Sequence, residues 1–258
     1  MLDFEAIFAQ IFDVYGVITL GLIGYIFLDK KIFGNCIFLL MITMIYNVIL
    51  KNIFKMPLPE TCPTTGYGFP SGHMHFASIF YIWLIFHFRN IFVRILCIIN
   101  MVYSGYILVK KGYHYPFDVA VTPVFALVSV FLYSKLVKFA DSTKSISVYS
   151  IVIAFILVLI LGIYIGKIQT STYIAFYFLL GFSVSWNTFL KDYNKKVTII
   201  NGIIIITATL IFYNIMKYIF KEIEIEIEIV EEMKWFFISG SVPMLVRFSQ
   251  NMITQREI

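Results

Sequence analysis

Apolar residues run along this chain in long blocks, and the polar residues collect in the gaps between them. Blocks of near-spanning length lie at 13–29, 33–54, 73–89, 91–109, 116–137, 148–166, 171–189 and 197–219. Each approaches the roughly 20 apolar residues that a helix needs to cross a bilayer. A ninth stretch, 233–249, contains Gly240, Pro243 and Arg247, and reads either as a span or as an interfacial helix. Residues 1–12 place Phe4, Ile7, Phe8 and Ile11 at helical spacing, with Asp3, Glu5 and Gln10 between them. That is the pattern of an amphipathic lead-in helix lying on the membrane. Between Glu222 and Glu228 glutamate and isoleucine alternate strictly. Period two argues for a strand, yet a lone strand has no pairing partner, so the stretch reads as a surface segment.

Composition makes the same point. The 258 residues are 60% hydrophobic and 14% charged, with a mean hydropathy of +0.88. A soluble domain is about 45–50% apolar and about 25% charged. The excess apolar surface needs lipid to cover it, and in lipid the backbone must satisfy its own hydrogen bonds. The expected fold is therefore all-α, a polytopic transmembrane bundle of about 8–9 spans. Asp3 and Glu5 lie where a signal peptide carries positive charge, so the first apolar block is expected to stay in the protein. The net charge of +5 is spread over many loops and gives no nucleic-acid footprint. Cys36, Cys62 and Cys97 have no metal-ligand spacing and, being odd in number, set no disulfide framework.

The most polar linker is 140–147, Ala-Asp-Ser-Thr-Lys-Ser-Ile-Ser. It divides residues 1–139, which hold every chemical motif, from 148–258, which read as additional transmembrane helices without an assigned role. Alternation of the spans puts Lys51, His73 and the segment from Lys110 to Asp118 on one face. The opposite face collects Lys30, Lys31, Arg89, Arg94, Lys135, Lys138, Lys144, Lys191, Lys195 and Lys196. The motif face has Lys51, Lys55, Lys110, Lys111, Lys167, Lys217 and Lys221. The excess of basic residues on the opposite face points the motif face away from the cytoplasm.

Candidate chemistry begins at Pro70-Ser71-Gly72-His73, at the mouth of the third apolar block. Proline suits a first helical position, serine can cap, and glycine lets the backbone approach a ligand. The amides and dipole of a helix start there favour an anion. His73, when protonated, can hand a proton to a leaving alkoxide. His114 and Asp118 are four residues apart and share a helix face if the helix begins near Pro116. The carboxylate can then hold one ring nitrogen and leave the other free to attack, or the two can form an interfacial pair satisfied by itself. Lys51 and, one turn later, Lys55 end the second block. They read either as phosphate ligands or as lysines snorkelling to the headgroups, and Lys110 and Lys111 share both readings. His75 reads as a site neighbour or as a lining residue of the third helix, and His87 falls on the opposite face. The histidines and carboxylates form no metal-ligand cluster.

Taken together, these stretches resemble the type 2 phosphatidic acid phosphatase superfamily of integral membrane lipid phosphatases. Its signatures run Lys-x6-Arg-Pro, Pro-Ser-Gly-His and Ser-Arg-x5-His-x3-Asp. Here they correspond to Lys51 through Pro59, Pro70 through His73, and Ile107 through Asp118. Tyr67-Gly68-Phe69, Gly112 and Tyr115-Pro116 add to the likeness, which covers about residues 33–137. The resemblance implies a phosphatase or phosphotransferase acting on a lipid phosphate or pyrophosphate, without metal or other cofactor. His114 would be the nucleophile, Asp118 its orienting acid and His73 the general acid. Lys51, Ser71 and the Gly72 amide would bind phosphate. It also implies a setting such as a bacterial cytoplasmic membrane, with the site on the extracytoplasmic face.

Two departures stand out. Leu58 occupies the arginine position of the first signature and Leu108 that of the third, while Ile107 replaces the serine. An arginine fork on a developing phosphorane charge is worth roughly 100- to 1,000-fold in rate. Lys55, Lys110 or Lys111 would supply replacement charge in an active enzyme. A catalytically degenerate lipid-phosphate binder or transport protein is the alternative. With bound phosphate and Asp118 both favouring the imidazolium, the pKa of His114 is expected to rise.

Overall fold

A computed structural model describes residues 14–140, 142–166, 168–189, 197–222 and 227–256. The amphipathic pattern of residues 1–12 and most of the Glu–Ile alternation lie outside the described residues, as do Lys167, Lys191, Lys195 and Lys196. Within them the protein is a helical bundle. The helices are α1 (Val14–Ile23), α2 (Lys30–Phe54), α3 (Gly72–His87), α4 (Ile91–Lys110), α5 (Pro116–Phe139), α6 (Thr143–Tyr164), α7 (Thr170–Phe189), α8 (Ile199–Glu222), the single turn α9 (Glu228–Glu231) and α10 (Lys234–Arg256). Among the described residues, five of these (α2, α4, α5, α6 and α8) are long and apolar enough to cross a membrane. Their outward faces expose large apolar residues such as Phe92, Leu96, Ile99 and Val102 on α4. Such faces are stable against lipid and not against water.

The remaining blocks are also helical, but with differences that have local causes. Block 13–29 is α1 followed by a wide π turn, Gly24–Leu28. The chain restarts at Asp29, whose Oδ1 accepts the Ile32 amide at 2.7 Å and so caps α2. The polar linker is shorter than its composition suggests, because Ser142 accepts the Ser145 amide at 3.1 Å and starts α6 within it. From Lys234 onward the interrupted stretch 233–249 lies inside α10, which keeps Pro243 in its interior.

The chain divides into two compact units. One holds Met1–Leu22 and Tyr46–Phe139, the other Ile23–Ile45 and Ala140–Ile258. In the first, α3 packs against α4 and α5. Met74, Leu108 and Val119 join the three helices in one buried apolar cluster. In the second, α10 packs against α7 and α8, and α6 against α7. The α7–α10 crossing is close because Gly181 meets the backbone: a Cβ there would lie 1.9 Å from the Phe236 carbonyl oxygen. Residues 23–45 go with this second unit, with Gly34 under the Trp186 ring and Gly202 under Phe27.

Candidate active site

The site residues come from four places in the first unit: the last turn of α2, the N-cap and first turn of α3, the α4–α5 turn and the first turns of α5. Ser71, not Pro70, caps α3. Its Oγ accepts the Met74 amide at 3.4 Å, and Gly72 is the first helical residue. Pro70 therefore lies outside the helix, joined to Phe69 by a cis peptide bond. Ser71 is fully buried, and its amide donates to Thr122 Oγ1 at 3.1 Å. The Thr122 hydroxyl in turn donates to the backbone oxygen of Asp118. Ser71 thus builds the turn, while Gly72 and the exposed His73 form its accessible side.

Helix α5 begins at Pro116, at the position where a missing amide hydrogen costs nothing. His114 therefore stands just before the helix and Asp118 in its first turn. Both are buried, 6% and 1% exposed, with Nδ1 of His114 3.6 Å from Oδ2 of Asp118. That Oδ2 also accepts the Tyr115 amide at 3.2 Å. His114 Nδ1 and Asp118 Oδ1 have no hydrogen-bond partner. Burial, then the nearby Lys51 ammonium and His73 imidazole, hold His114 down to about 4. This is opposite to the upward shift expected for His114. A proton on this ring must leave water and meet two like charges, and that outweighs the attraction of the carboxylate. The same electrostatics put Lys51 and His73 within range of His114, and Lys51 within range of Asp118.

The other lysines sit differently. Lys55 is exposed at the end of α2, with a left-handed φ of 53°, and its amide donates to the Lys51 oxygen at 2.9 Å. Lys110 and Lys111 are exposed, with their ammonium groups 5.9 Å from the rings of Tyr106 and Tyr113 respectively. Lys51 is placed by its electrostatics at the His114–Asp118 pair.

Leu58 and Leu108 occupy unlike environments. Leu58 lies in the loop after α2. Its Cδ2 and the Asp118 Oδ2 would each be 3.2 Å from a Cβ added at Gly68. Position 58 therefore borders the site. Leu108 is buried against Met74 and Val119, with Met101 and Val109 packed around them.

Further residues shape the surroundings of the site. Asn47, one turn before Lys51 on α2, donates from Nδ2 to the Pro70 oxygen at 3.4 Å and lies 3.1 Å from Nδ1 of His75. His75 is fully buried and its Nε2 has no partner, so it is an internal residue of α3. Thr61 donates to the Gly112 oxygen at 2.9 Å and ties the loop to the α4–α5 turn. Gly112 has a φ of 67°, and Tyr113 N bonds Leu108 O at 3.1 Å to close the end of α4. Sequence spacing gave no signal for Asn47 or Thr122, which act through contacts distant in the chain.

Compared with known proteins, the chain matches no family model, no curated protein and no solved structure.

Proposed function

We propose that the chain is a membrane-embedded phosphatase or phosphotransferase that acts on a lipid phosphate or pyrophosphate through a phosphohistidine, as its resemblance to the type 2 phosphatidic acid phosphatases implies. The observation that carries this reading is the buried His114–Asp118 pair, with Lys51 and His73 both in electrostatic range of the same ring. A neutral histidine beside a carboxylate, with a lysine ammonium and a second imidazole in range, suits attack on an anionic phosphorus centre. The proposed setting is a bacterial cytoplasmic membrane with the site facing outward.

The substrate's headgroup lies at the membrane boundary, where the Lys51 ammonium and the amides at the start of α3 hold its oxygens. Asp118 orients the Nδ1–H of His114, which leaves the lone pair on Nε2. Nε2 bonds to phosphorus as the phosphorus–oxygen bond to the lipid breaks, and the departing oxygen takes a proton from His73. Water then attacks the phosphohistidine and gives its proton to the now neutral His73. The nitrogen–phosphorus bond breaks, its electron pair returns to Nε2, and phosphate leaves. A lipid alcohol in place of water makes the second step a transfer.

Phosphate release from a panel of lipid phosphates and pyrophosphates in detergent micelles tests the reading. Wild type should release phosphate, and His114→Ala should release none above background. Equal release by both would refute the assignment.

A binder without turnover is the second reading. The observation that favours it is the burial of Leu108 among apolar side chains, at the position of the third signature's arginine. It predicts that purified wild type retains a lipid phosphate and releases no phosphate from it.

A further inference from the structure

We propose that Thr122 and Asn47, which need not touch the substrate, are positioning residues that hold the anion-binding turn in register with the nucleophile pair and with Lys51; the proposal rests on the phosphohistidine reading. The turn from Pro70 to His73 precedes the regular bonds of α3, so side chains from outside fix its orientation. On one side, the Ser71 amide donates to Thr122 Oγ1 at 3.1 Å, and the Thr122 hydroxyl donates to the Asp118 oxygen. On the other, Asn47 Nδ2 donates to the Pro70 oxygen at 3.4 Å. A carbonyl can only accept, so this contact orients the Asn47 amide. Its Oδ1 then lies against Gly72, where an added Cβ would come within 3.2 Å. Because Nδ2 also faces His75 Nδ1 at 3.1 Å, that nitrogen accepts and the His75 proton sits on Nε2.

The spacing gives these contacts their meaning. Thr122 follows Asp118 by four residues on α5, and Asn47 precedes Lys51 by four on α2. Each clamp therefore stands one turn from the charged side chain that its helix brings to the site. Both clamps are buried, Thr122 fully and Asn47 at 6% exposure. The Thr122 bridge connects α3, which carries His73, to α5, which carries Asp118. Loss of the hydroxyl would leave His114 beside Asp118 but let His73 drift from the leaving oxygen. A drift of about 1 Å is enough to cost roughly 100-fold.

That consequence separates positioning from bulk stability. An alkoxide leaving group needs the His73 proton, and an aryl oxide such as p-nitrophenolate hardly does. Wild type, Thr122→Val and Thr122→Ser are to be purified in detergent and compared for kcat/KM, which reports the steps up to leaving-group departure, on a short-chain phosphatidate and on p-nitrophenyl phosphate. In Thr122→Val, kcat/KM for phosphatidate should fall roughly 100-fold, and kcat/KM for the aryl ester by no more than about threefold, since its departure leans little on the acid. Thr122→Ser, which keeps the hydroxyl, should restore both. Parallel loss on the two substrates, or loss on neither, overturns the proposal. Should Thr122→Val fail to fold, Asn47→Leu carries the test through orthovanadate affinity, which should weaken about tenfold as the turn moves away from Lys51; unchanged affinity overturns the proposal. A wild type that binds orthovanadate but turns over neither ester removes the phosphohistidine reading alone, and the vanadate affinities of Thr122→Val and Asn47→Leu then decide the positioning roles by the same criterion. A wild type that neither binds nor turns over removes both.

Discussion

Oδ2 of Asp118 lies 3.6 Å from Nδ1 of His114, and the same oxygen accepts the Tyr115 amide from the next residue along. The carboxylate is thereby fixed by the backbone of the turn beside His114, and in the proposed reaction its job is to hold the ring with Nε2 outward. Asp118→Asn keeps the shape but no longer requires the Nδ1–H tautomer. It should lower kcat by roughly 1,000-fold or more, as carboxylate-to-amide changes do in comparable histidine pairs. KM should stay within a few-fold, since the amide binds no phosphate. Steady-state phosphate release on a single lipid phosphate separates the two constants.

The depressed pKa of His114 sets the acid side of the pH profile. In the proposed reaction neutral imidazole is the attacking form, so the acid limb of kcat/KM should rise with pH through about 4, where His114 loses its proton. Lys51 is one of the charges that push the value down. Removing it in Lys51→Met should move the acid limb upward, toward the ordinary histidine value, while weakening binding of the phosphate. A limb that stays in place would show that Lys51 does not face this ring.

Gly68 joins the loop to Asp118. A methyl group there would come within 3.2 Å of Asp118 Oδ2, of Leu58 Cδ2 and of the Pro57 carbonyl oxygen. The backbone oxygen cannot swing aside, so the carboxylate is the group that must move. Gly68→Ala should therefore cut turnover at least about tenfold, an effect of displaced geometry. Thermal unfolding in detergent should change little by comparison, and the two measurements made together check this.

The two leucines at the arginine positions should respond in opposite ways. Leu108→Arg would bury a guanidinium among Met74, Val119, Met101 and Val109, at a cost of several kcal/mol, about the penalty for an unpaired buried charge. Its melting temperature and yield should collapse. Leu58→Arg enters a half-buried loop position bordering Asp118, where a cation would have the carboxylate and, in the proposed reaction, the substrate phosphate as partners. It should fold normally and raise turnover at least about tenfold. Restoring both arginines together would therefore report mostly on damage to the α3–α4–α5 packing.

The legible part of this protein is local. Ser71 as a helix cap, Pro116 as a helix start and the four-residue step from His114 to Asp118 are each written within one turn of chain. Apolar blocks of the right length likewise foretold the helices. Long-range contacts left no such mark. Thr122 and Asn47 are ordinary polar residues in apolar helices, and their partners lie 51 and 23 residues away. The apolar period also could not show that residues 23–45 pack with the second unit. That depends on Gly34 and Gly202 giving room to Trp186 and Phe27. Leu108 reads from the sequence as a lost ligand, and only its packing against Met74 and Val119 shows a core residue.

The central claim is that His114 carries the phosphoryl group, and trapping the phosphoenzyme tests it most directly. Detergent-solubilised protein is mixed with a radiolabelled lipid phosphate, quenched in alkali within the first turnover, digested and mapped. The account predicts an acid-labile, alkali-stable label on the peptide containing His114, absent from His114→Ala and accumulating when the water step is slowed. Turnover with no such label, or a label on another residue, would contradict it.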